Sequence, residues 1–350
     1  MTWNGAESDS QLAVGIFVLG ARSSTSAEIV DQACLAEQLG FASFLLAERH
    51  LRHGPLMHPS PFVLVAAIAA RTSAIRIGTA GRILTLDHPI RVAEDAATLD
   101  VLSGGRLELG ITRASLDAEA HLAFHSPTDT SRQRFAEALE ILVKALSEES
   151  FSYSGAHFEI PEVSVFPKPV QRPHPPISIV AVSREQLLFA AARGYPPVLG
   201  ALSTAAELRE AFDAYRDAAA SAGHDGGLEP TVNRFVYVST SDEDARKEME
   251  EAFAEFIARL APDLRAALEA RYGEGPVDYE RVVEDFCLFG SAATVTARLR
   301  ELQQVVGLRR LLVTVNFPTL ELGLCRRSME RFAREVMPAV GAETPARIPA

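Results

Sequence analysis

The sequence predicts an α/β protein built as a (β/α)8 TIM barrel with insertions. Three observations predict it. Short apolar runs alternate with longer amphipathic segments along most of the 350 residues. The short runs are continuously apolar, as strands of a parallel sheet buried on both faces must be. Eight such runs can be counted, the number that closes a barrel. A doubly wound open sheet shares the alternation and is the competing architecture.

The elements follow in order. Residues 13–19 (AVGIFVL) read as the first strand, and 26–39 as a helix with apolar Ile29, Val30, Ala33, Ala36 and Leu39 on one face and Gly40 as its stop. Residues 41–47 (FASFLLA) form the second strand, and 61–71 a helix with Pro61 in its first turn. The third strand is 75–84 and its helix 89–102, ended by Ser103-Gly104-Gly105. The fourth strand is 107–111 and its helix 131–146. The rhythm then breaks: 148–176 carries a small hairpin around Ser154-Gly155 and a proline-rich extended connection, PEVSVFPKPVQRPHPP. It resumes with strands at 177–182, 197–199 and 231–239, followed by helices at 184–193, 204–222 and 242–260. Residues 261–286 hold Pro262, Gly273, Gly275, Pro276 and many charges, and read as an excursion before the last unit. A helix at 292–305, the eighth strand at 310–316 and a closing helix at 324–336 complete one domain over 1–340, with a loose tail at 341–350 and the chain loosening from Pro338.

Composition narrows the function. With 47% hydrophobic and 23% charged residues, the chain can bury a large core and is unlike a disordered one. A net charge of −12 argues against nucleic acid or anionic lipid as the main partner. The three cysteines, Cys34, Cys287 and Cys325, are dispersed, which argues against a disulfide framework or a cysteine zinc site. The first residues, MTWNGAESDSQ, carry no basic segment of the kind that opens a secretory signal, and no apolar run is long enough to span a bilayer. The expectation is a cytoplasmic enzyme without a membrane partner.

In such a barrel chemistry collects at the C-terminal ends of strands. Glu48, Arg49 and His50 end the second strand, followed by His53 and His58. Ala80, Gly81 and Arg82 lie near the end of the third, Thr112 and Arg113 after the fourth, Val182, Ser183 and Gln186 after the fifth, and Asn316 after the eighth. Three ionisable groups ending an apolar strand need water, one another or a ligand; the alternative is a local ion pair that closes the barrel top. Ser183 before a helix can cap it, and the same helix start offers free N–H groups to a phosphate. No glycine-rich phosphate loop is present, so Arg113 is the natural second contact, with a surface salt bridge as its alternative role. The nine histidines fall in no familiar metal spacing, and no GxSxG elbow occurs, so neither a catalytic metal nor a serine nucleophile is expected.

Residues 70–113, ARTSAIRIGTAGRILTLDHPIRVAEDAATLDVLSGGRLELGITR, resemble the core of the luciferase-like flavin monooxygenases. FLLAERH (44–50) resembles that family's strand ending in Glu-His-His or Glu-Arg-His, and PKPVQRPHPPISIVAVS (167–183) its connection into the fifth strand. The likeness spans roughly 14–336. It implies an FMN-dependent oxidoreductase that receives reduced FMN from a separate flavin reductase and uses O2, through a C4a-peroxyflavin, to oxygenate a small organic substrate. Arg113 then matches an arginine on the flavin phosphate, Ser183 a serine at the same phosphate, and Gln186 a further polar contact. Ala80-Gly81 matches a non-proline cis peptide against the flavin ring. Thr112 stands where luciferases carry a cysteine. The implied cofactor set is Ala80, Gly81, Thr112, Arg113, Val182, Ser183 and Gln186. The implied catalytic set is Glu48, Arg49 and His50, with Arg49 replacing the first histidine of the luciferase pair. His50 is the better proton donor, because arginine stays charged. Residues 261–286 match a mobile lid, and the alanine-rich helices 61–71 and 89–102 a homodimer face. Two alternatives share these motifs: a deazaflavin-dependent hydride-transfer enzyme, and a non-catalytic flavin-binding or dimer-partner protein.

Overall fold

The computed structural model describes residues 11–20, 25–51, 58–113, 118–126, 130–224, 229–260, 262–273 and 279–342. Its strands are β1 (Ala13–Val18), β2 (Ser43–Leu46), β3 (Arg76–Ile83), β4 (Leu107–Thr112), β5 (Phe151–Ser154), β6 (Glu159–Val163), β7 (Ile177–Ala181), β8 (Pro197–Leu199), β9 (Thr231–Ser239), β10 (Cys287–Ser291) and β11 (Arg310–Thr314). The helices are α1 (Ser26–Gln38), α2 (Pro61–Ala69), α3 (Pro89–Leu102), α4 (Ala118–Ala123), α5 (Ser131–Ser147), α6 (Arg184–Ala192), α7 (Ala205–Ser221), α8 (Asp242–Ala258), α9 (Pro262–Tyr272), α10 (Tyr279–Phe286), α11 (Ala292–Val306) and α12 (Leu322–Arg331).

Eight strands close a parallel barrel in the order β1-β2-β3-β4-β7-β8-β9-β11, and β11 pairs back onto β1. The seam between β8 and β9 is short, Val198 opposite Thr231 and Leu199 opposite Val232. Apolar side chains pointing outward from the strands pack beneath the helices. A second cluster, with Phe17, Leu45, Ala80, Val198 and Leu312 drawn from five strands, fills the bore. β3 and β4 approach closely because Gly78 and Gly110 face the neighbouring backbone. A Cβ on Gly78 would lie 1.8 Å from the Glu108 carbonyl oxygen, and one on Gly110 2.3 Å from that of Thr79.

A polar plug closes the N-terminal end. Arg76 Nε donates to Glu108 Oε1 at 2.6 Å, and Arg310, on the far side of the barrel, pairs with Glu108 Oε2 at 3.2 Å. Burial pushes the Glu108 carboxyl up, but Arg310 and Arg76 outweigh it and hold the group below its ordinary range. With that end tied shut, an opening remains at the C-terminal ends of the strands.

The eight predicted strands are the eight barrel strands. One further strand, β10, was not among them: it pairs in parallel with Phe235–Ser239, the outer half of β9. Its sequence, CLFGS, is too short to stand out beside the neighbouring helices. The excursion at 261–286 contains two helices, α9 and α10, and α10 buries Val282 and Phe286. The antiparallel pair β5–β6 stands apart from the barrel sheet. The chain after Pro338 is tied down through Ala342 instead of hanging loose from 338. Leu12 N–H donates to the Gly341 carbonyl at 3.2 Å, and Leu12 bridges Ala342, because Val340 is buried and pulls the segment onto the barrel. The rest of the expected tail, 343–350, lies outside the described residues.

Candidate active site

Glu48 organises one side of the barrel mouth. It follows β2, an apolar strand whose four residues are all buried, so its carboxylate is delivered into a dry junction between β2 and β3. Three donors meet it there. The Ile83 N–H donates to Oε2 at 2.8 Å, His50 Nε2 lies 2.6 Å from Oε1, and Arg82 pairs with the same Oε1. Arg82 also pairs with Asp87 and lies over the Phe62 ring, 5.5 Å from its centroid. The ion pair is buried, so its charges survive by mutual neutralisation and not by hydration. His50 is held from its other face by Phe124, whose ring meets it edge-on at 4.9 Å.

These residues line a cavity of about 370 Å³, walled by Pro59, Pro61, Phe62, Leu86 and Phe124 and floored by Glu48, His50 and Arg82. Apolar walls with a few convergent polar groups are the usual make-up of a small-molecule site.

The other side of the mouth is built on β3, β4 and β7. The Ala80-Gly81 peptide is cis. Thr112 ends β4 partly buried, and its carbonyl accepts the Leu84 N–H at 3.1 Å. Arg113 follows, and its Nη1 pairs with Glu185 Oε1 at 2.9 Å, while Arg132 Nη2 pairs with Glu185 Oε2 at 2.7 Å. Arg113 Nε is buried and has no hydrogen-bond partner. Ser183 caps α6, accepting the Gln186 N–H at 3.3 Å. Gln186 is buried and its Oε1 accepts the Val182 N–H at 2.9 Å, so its side chain braces the turn, while the Val182 side chain is exposed. An oxyanion here would meet Arg113 and the open N–H groups of the first turn of α6, a standard anion setting.

Glu48 and His50 are thus in contact, and Arg113, Ser183 and Gln186 share the α6 end. Arg49 is half-buried and its N–H donates to the His58 carbonyl at 3.3 Å. Asn316, a strand-end candidate, points away from the mouth, exchanging amide hydrogen bonds of 3.1 Å with Gln32 of α1. His53 lies outside the described residues. His58 is buried with neither ring nitrogen hydrogen-bonded, and burial lowers its pKa to about 4. Among the described residues, no three His, Cys, Asp or Glu side chains are grouped to hold a metal, and no helix is long and apolar enough to cross a membrane. Sequence reasoning missed Asp87, Phe62, Phe124, Arg132 and Glu185. It placed Arg82 at a strand end without a role. The usable signal was a cation closing the apolar strand after Gly81; the others have none in sequence.

The family model described as luciferase-like monooxygenase matches residues 12–309. The chain is 33% identical over 348 residues to the uncharacterized protein y4wF of Sinorhizobium fredii, covering 95% of this chain and 98% of that one. It is 27% identical over 221 residues to the oxygenase component of the flavin-dependent trigonelline monooxygenase of Acinetobacter baylyi, covering 63% of this chain and 61% of that one. The crystal structure of monooxygenase RslO1 from Streptomyces bottropensis superposes with a TM-score of 0.82 at 26% identity, covering 93% of this chain and 99% of that one.

Proposed function

The chain belongs to the luciferase-like monooxygenase family, and from that premise we propose that it is an FMN-dependent oxygenase component, receiving reduced FMN from a separate flavin reductase and using O2 to oxygenate a small organic substrate. One observation carries this reading. An anion-binding corner at Arg113 and an acid–base group at Glu48–His50 end strands β4 and β2, on either side of β3, which carries the cis Ala80-Gly81 peptide. The corner fits a phosphate: the unpartnered Arg113 Nε is a buried donor that an oxyanion would satisfy.

Arg113, Ser183 and the first turn of α6 would hold the phosphate, and Ala80-Gly81 with Thr112 would meet the ring. Val182 presents its exposed side chain beside them, and Gln186 keeps the turn in shape. Bound reduced FMN would supply the activation of O2. His50 directs Nε2 at Glu48, which leaves Nδ1 as the atom that takes or gives a proton. The Glu48 carboxylate fixes the orientation of the ring. Arg49 supplies charge and no proton. Phe62, Leu86 and Phe124 give the cavity apolar walls that disfavour water, and α9 and α10 fall where the family resemblance implies a mobile lid. We propose a cytoplasmic enzyme, and a homodimer because Val63 of α2 and Val101 and Leu102 of α3 are exposed apolar side chains.

Anaerobic titration with reduced FMN, followed by admission of O2, tests the reading. The expected result is saturable binding and release of hydrogen peroxide far slower than from free reduced FMN. Failure to bind reduced FMN, with binding of a reduced deazaflavin in a parallel titration, overturns it in favour of hydride transfer.

A further inference from the structure

We propose that Arg82 is a positioning residue for His50: by sharing the Glu48 carboxylate with the imidazole, it lets the ring release its proton, and Asp87 sets how fully it does so. The inference deepens the reading of His50 as the proton-carrying group, and rests on that reading for what the ring then does to substrate.

The sequence delivers Arg82 to Glu48 through a bulge. Arg82 stands in β3, where every residue from Ile77 to Ile83 is buried. Ala80, two residues earlier, belongs to the cluster that fills the bore. Strict alternation would send Arg82 into the bore as well. The register against β4 shifts between the two, with Ala80 opposite Gly110 and Arg82 opposite Ile111. Gly81 is the extra residue, and a bulge re-aims the side chain that follows it. Ile111 belongs to the core beneath the helices, so Arg82 turns to that face and meets Glu48. The same turn brings the Ile83 N–H to the other Glu48 oxygen at 2.8 Å. A Cβ on Gly81 would lie 2.9 Å from the Ile111 carbonyl carbon, so the bulge depends on glycine there.

The Glu48 side chain is wholly buried, and its Oε1 serves two groups, His50 Nε2 at 2.6 Å and Arg82 Nη1. A buried carboxylate demands a cation. With His50 as its sole partner, the imidazole would have to stay protonated to supply one. The guanidinium supplies it permanently, because arginine does not lose its proton in proteins. His50 can then donate Nε2–H to Glu48 from its neutral form, leaving Nδ1 to take and return a proton. Arg82 is not given wholly to Glu48, however. Its Nη2 pairs with Asp87, which also borders the cavity and draws part of the positive charge away. The charged groups that border the cavity with His50 are thus Glu48, Arg82, Asp87 and Asp95 of α3. Asp95 is balanced in part by Arg91 at 3.6 Å, Arg49 adjoins His50 in the chain, and Phe124 covers the ring without charge.

The test follows the His50 ring by NMR against pH in wild type, Arg82→Gln and Asp87→Asn, with His50→Ala identifying its signals. Arg82→Gln leaves Glu48 to His50 alone, and the ring is expected to titrate about one pH unit higher than in wild type. Asp87→Asn gives Arg82 wholly to Glu48, and the ring is expected to titrate lower, by roughly half a pH unit. The Asp87 side chain is 42% exposed, so this second variant reads the proposal even where Arg82→Gln does not fold. The proposal is overturned if Arg82→Gln leaves the titration unchanged or lowers it, or if Asp87→Asn leaves it unchanged or raises it. Product formed from reduced FMN and O2 is then followed over the same pH range, where a matching shift of the profile supports both readings. Opposite ring shifts in the two variants, with no reduced FMN bound by any of the proteins, would sustain the proposal and remove the FMN reading. Turnover with reduced FMN and a ring that responds to neither substitution would do the reverse.

Discussion

Acidification should loosen the barrel mouth through one residue, His58. Its ring is buried and neither nitrogen is hydrogen-bonded, so the folded protein holds it neutral, with a pKa of about 4 against 6.5 for the free group. The folded state then binds fewer protons than the unfolded state between those two values. Stability contributed by the neutral ring is therefore complete above the unfolded value and is lost as the pH falls toward the folded one. At about pH 5 the unfolded imidazole is almost wholly protonated and the folded one only about a tenth so, which works out at a loss of about 2 kcal/mol relative to neutral pH. His58→Leu removes the titration while keeping an apolar side chain of similar bulk. Urea unfolding of both proteins near pH 7.5 and near pH 5, followed by circular dichroism, measures the difference. Wild type should lose about 2 kcal/mol more than the variant over that interval. Equal losses would refute the assignment of a buried, neutral, unpartnered ring. The consequence reaches the site, because the His58 carbonyl accepts the Arg49 N–H and so anchors the segment carrying Glu48 and His50.

His50→Ala should reduce oxygenated product by about 100-fold with reduced-FMN binding retained; unchanged coupled turnover removes His50 from the mechanism. Glu48→Gln takes one charge from a buried pair and should lower unfolding stability by about 2–4 kcal/mol, read from the urea midpoint; a loss under about 0.5 kcal/mol would mean the network is not coupled. Gly110→Ala drives a Cβ into the Thr79 carbonyl, 2.3 Å away, where only backbone could yield. We expect a cost of about 3 kcal/mol or more, seen as loss of soluble folded protein. Glu108 is held below its ordinary pKa, so the stability that it contributes is present above the unfolded carboxylate value and is lost as pH falls through the folded one. Glu108→Gln should therefore show a shallower acid slope than wild type in the same unfolding series.

The barrel was legible because each of its strands is a short apolar run set off by turn residues, and a parallel sheet buried on both faces leaves no other way to write one. The five residues of β10 were not, since CLFGS follows directly on the helix α10 and its partner lies 52 positions earlier, at 235–239. Glu48 and His50 could be picked out because charge at the end of an apolar strand is conspicuous. What Glu48 does could not be read, because its partners are the backbone of Ile83 and the side chain of Arg82, brought to it by the β2–β3 pairing. Gln186 has a local task that position alone did not announce, since its Oε1 accepts the Val182 N–H and braces the turn before α6. The pairing of Arg113 and Arg132 with Glu185 joins three elements, and nothing in local sequence announces it.

The ninth strand has a meaning for the history of such a molecule. β9 ends at Ser239 and β10 ends at Ser291 directly beside it, and the two strand ends are stapled by Asp242, which accepts from the Ser291 N–H at 2.6 Å and from the Thr294 hydroxyl at 2.8 Å. The chain between them leaves the sheet at Ser239 and re-enters it at Cys287, opposite Phe235, so both its ends lie along β9. α8, the first part of that stretch, packs on the barrel, with the Phe253 ring 5.8 Å from that of Phe235, so only the chain after α8 can be lengthened, shortened or replaced without disturbing the barrel. The same cavity floor is thus open to different covers by exchange of the chain between α8 and β10, and a chimera joined at those two borders, keeping α8 and β10 in place, is the direct route to a new specificity.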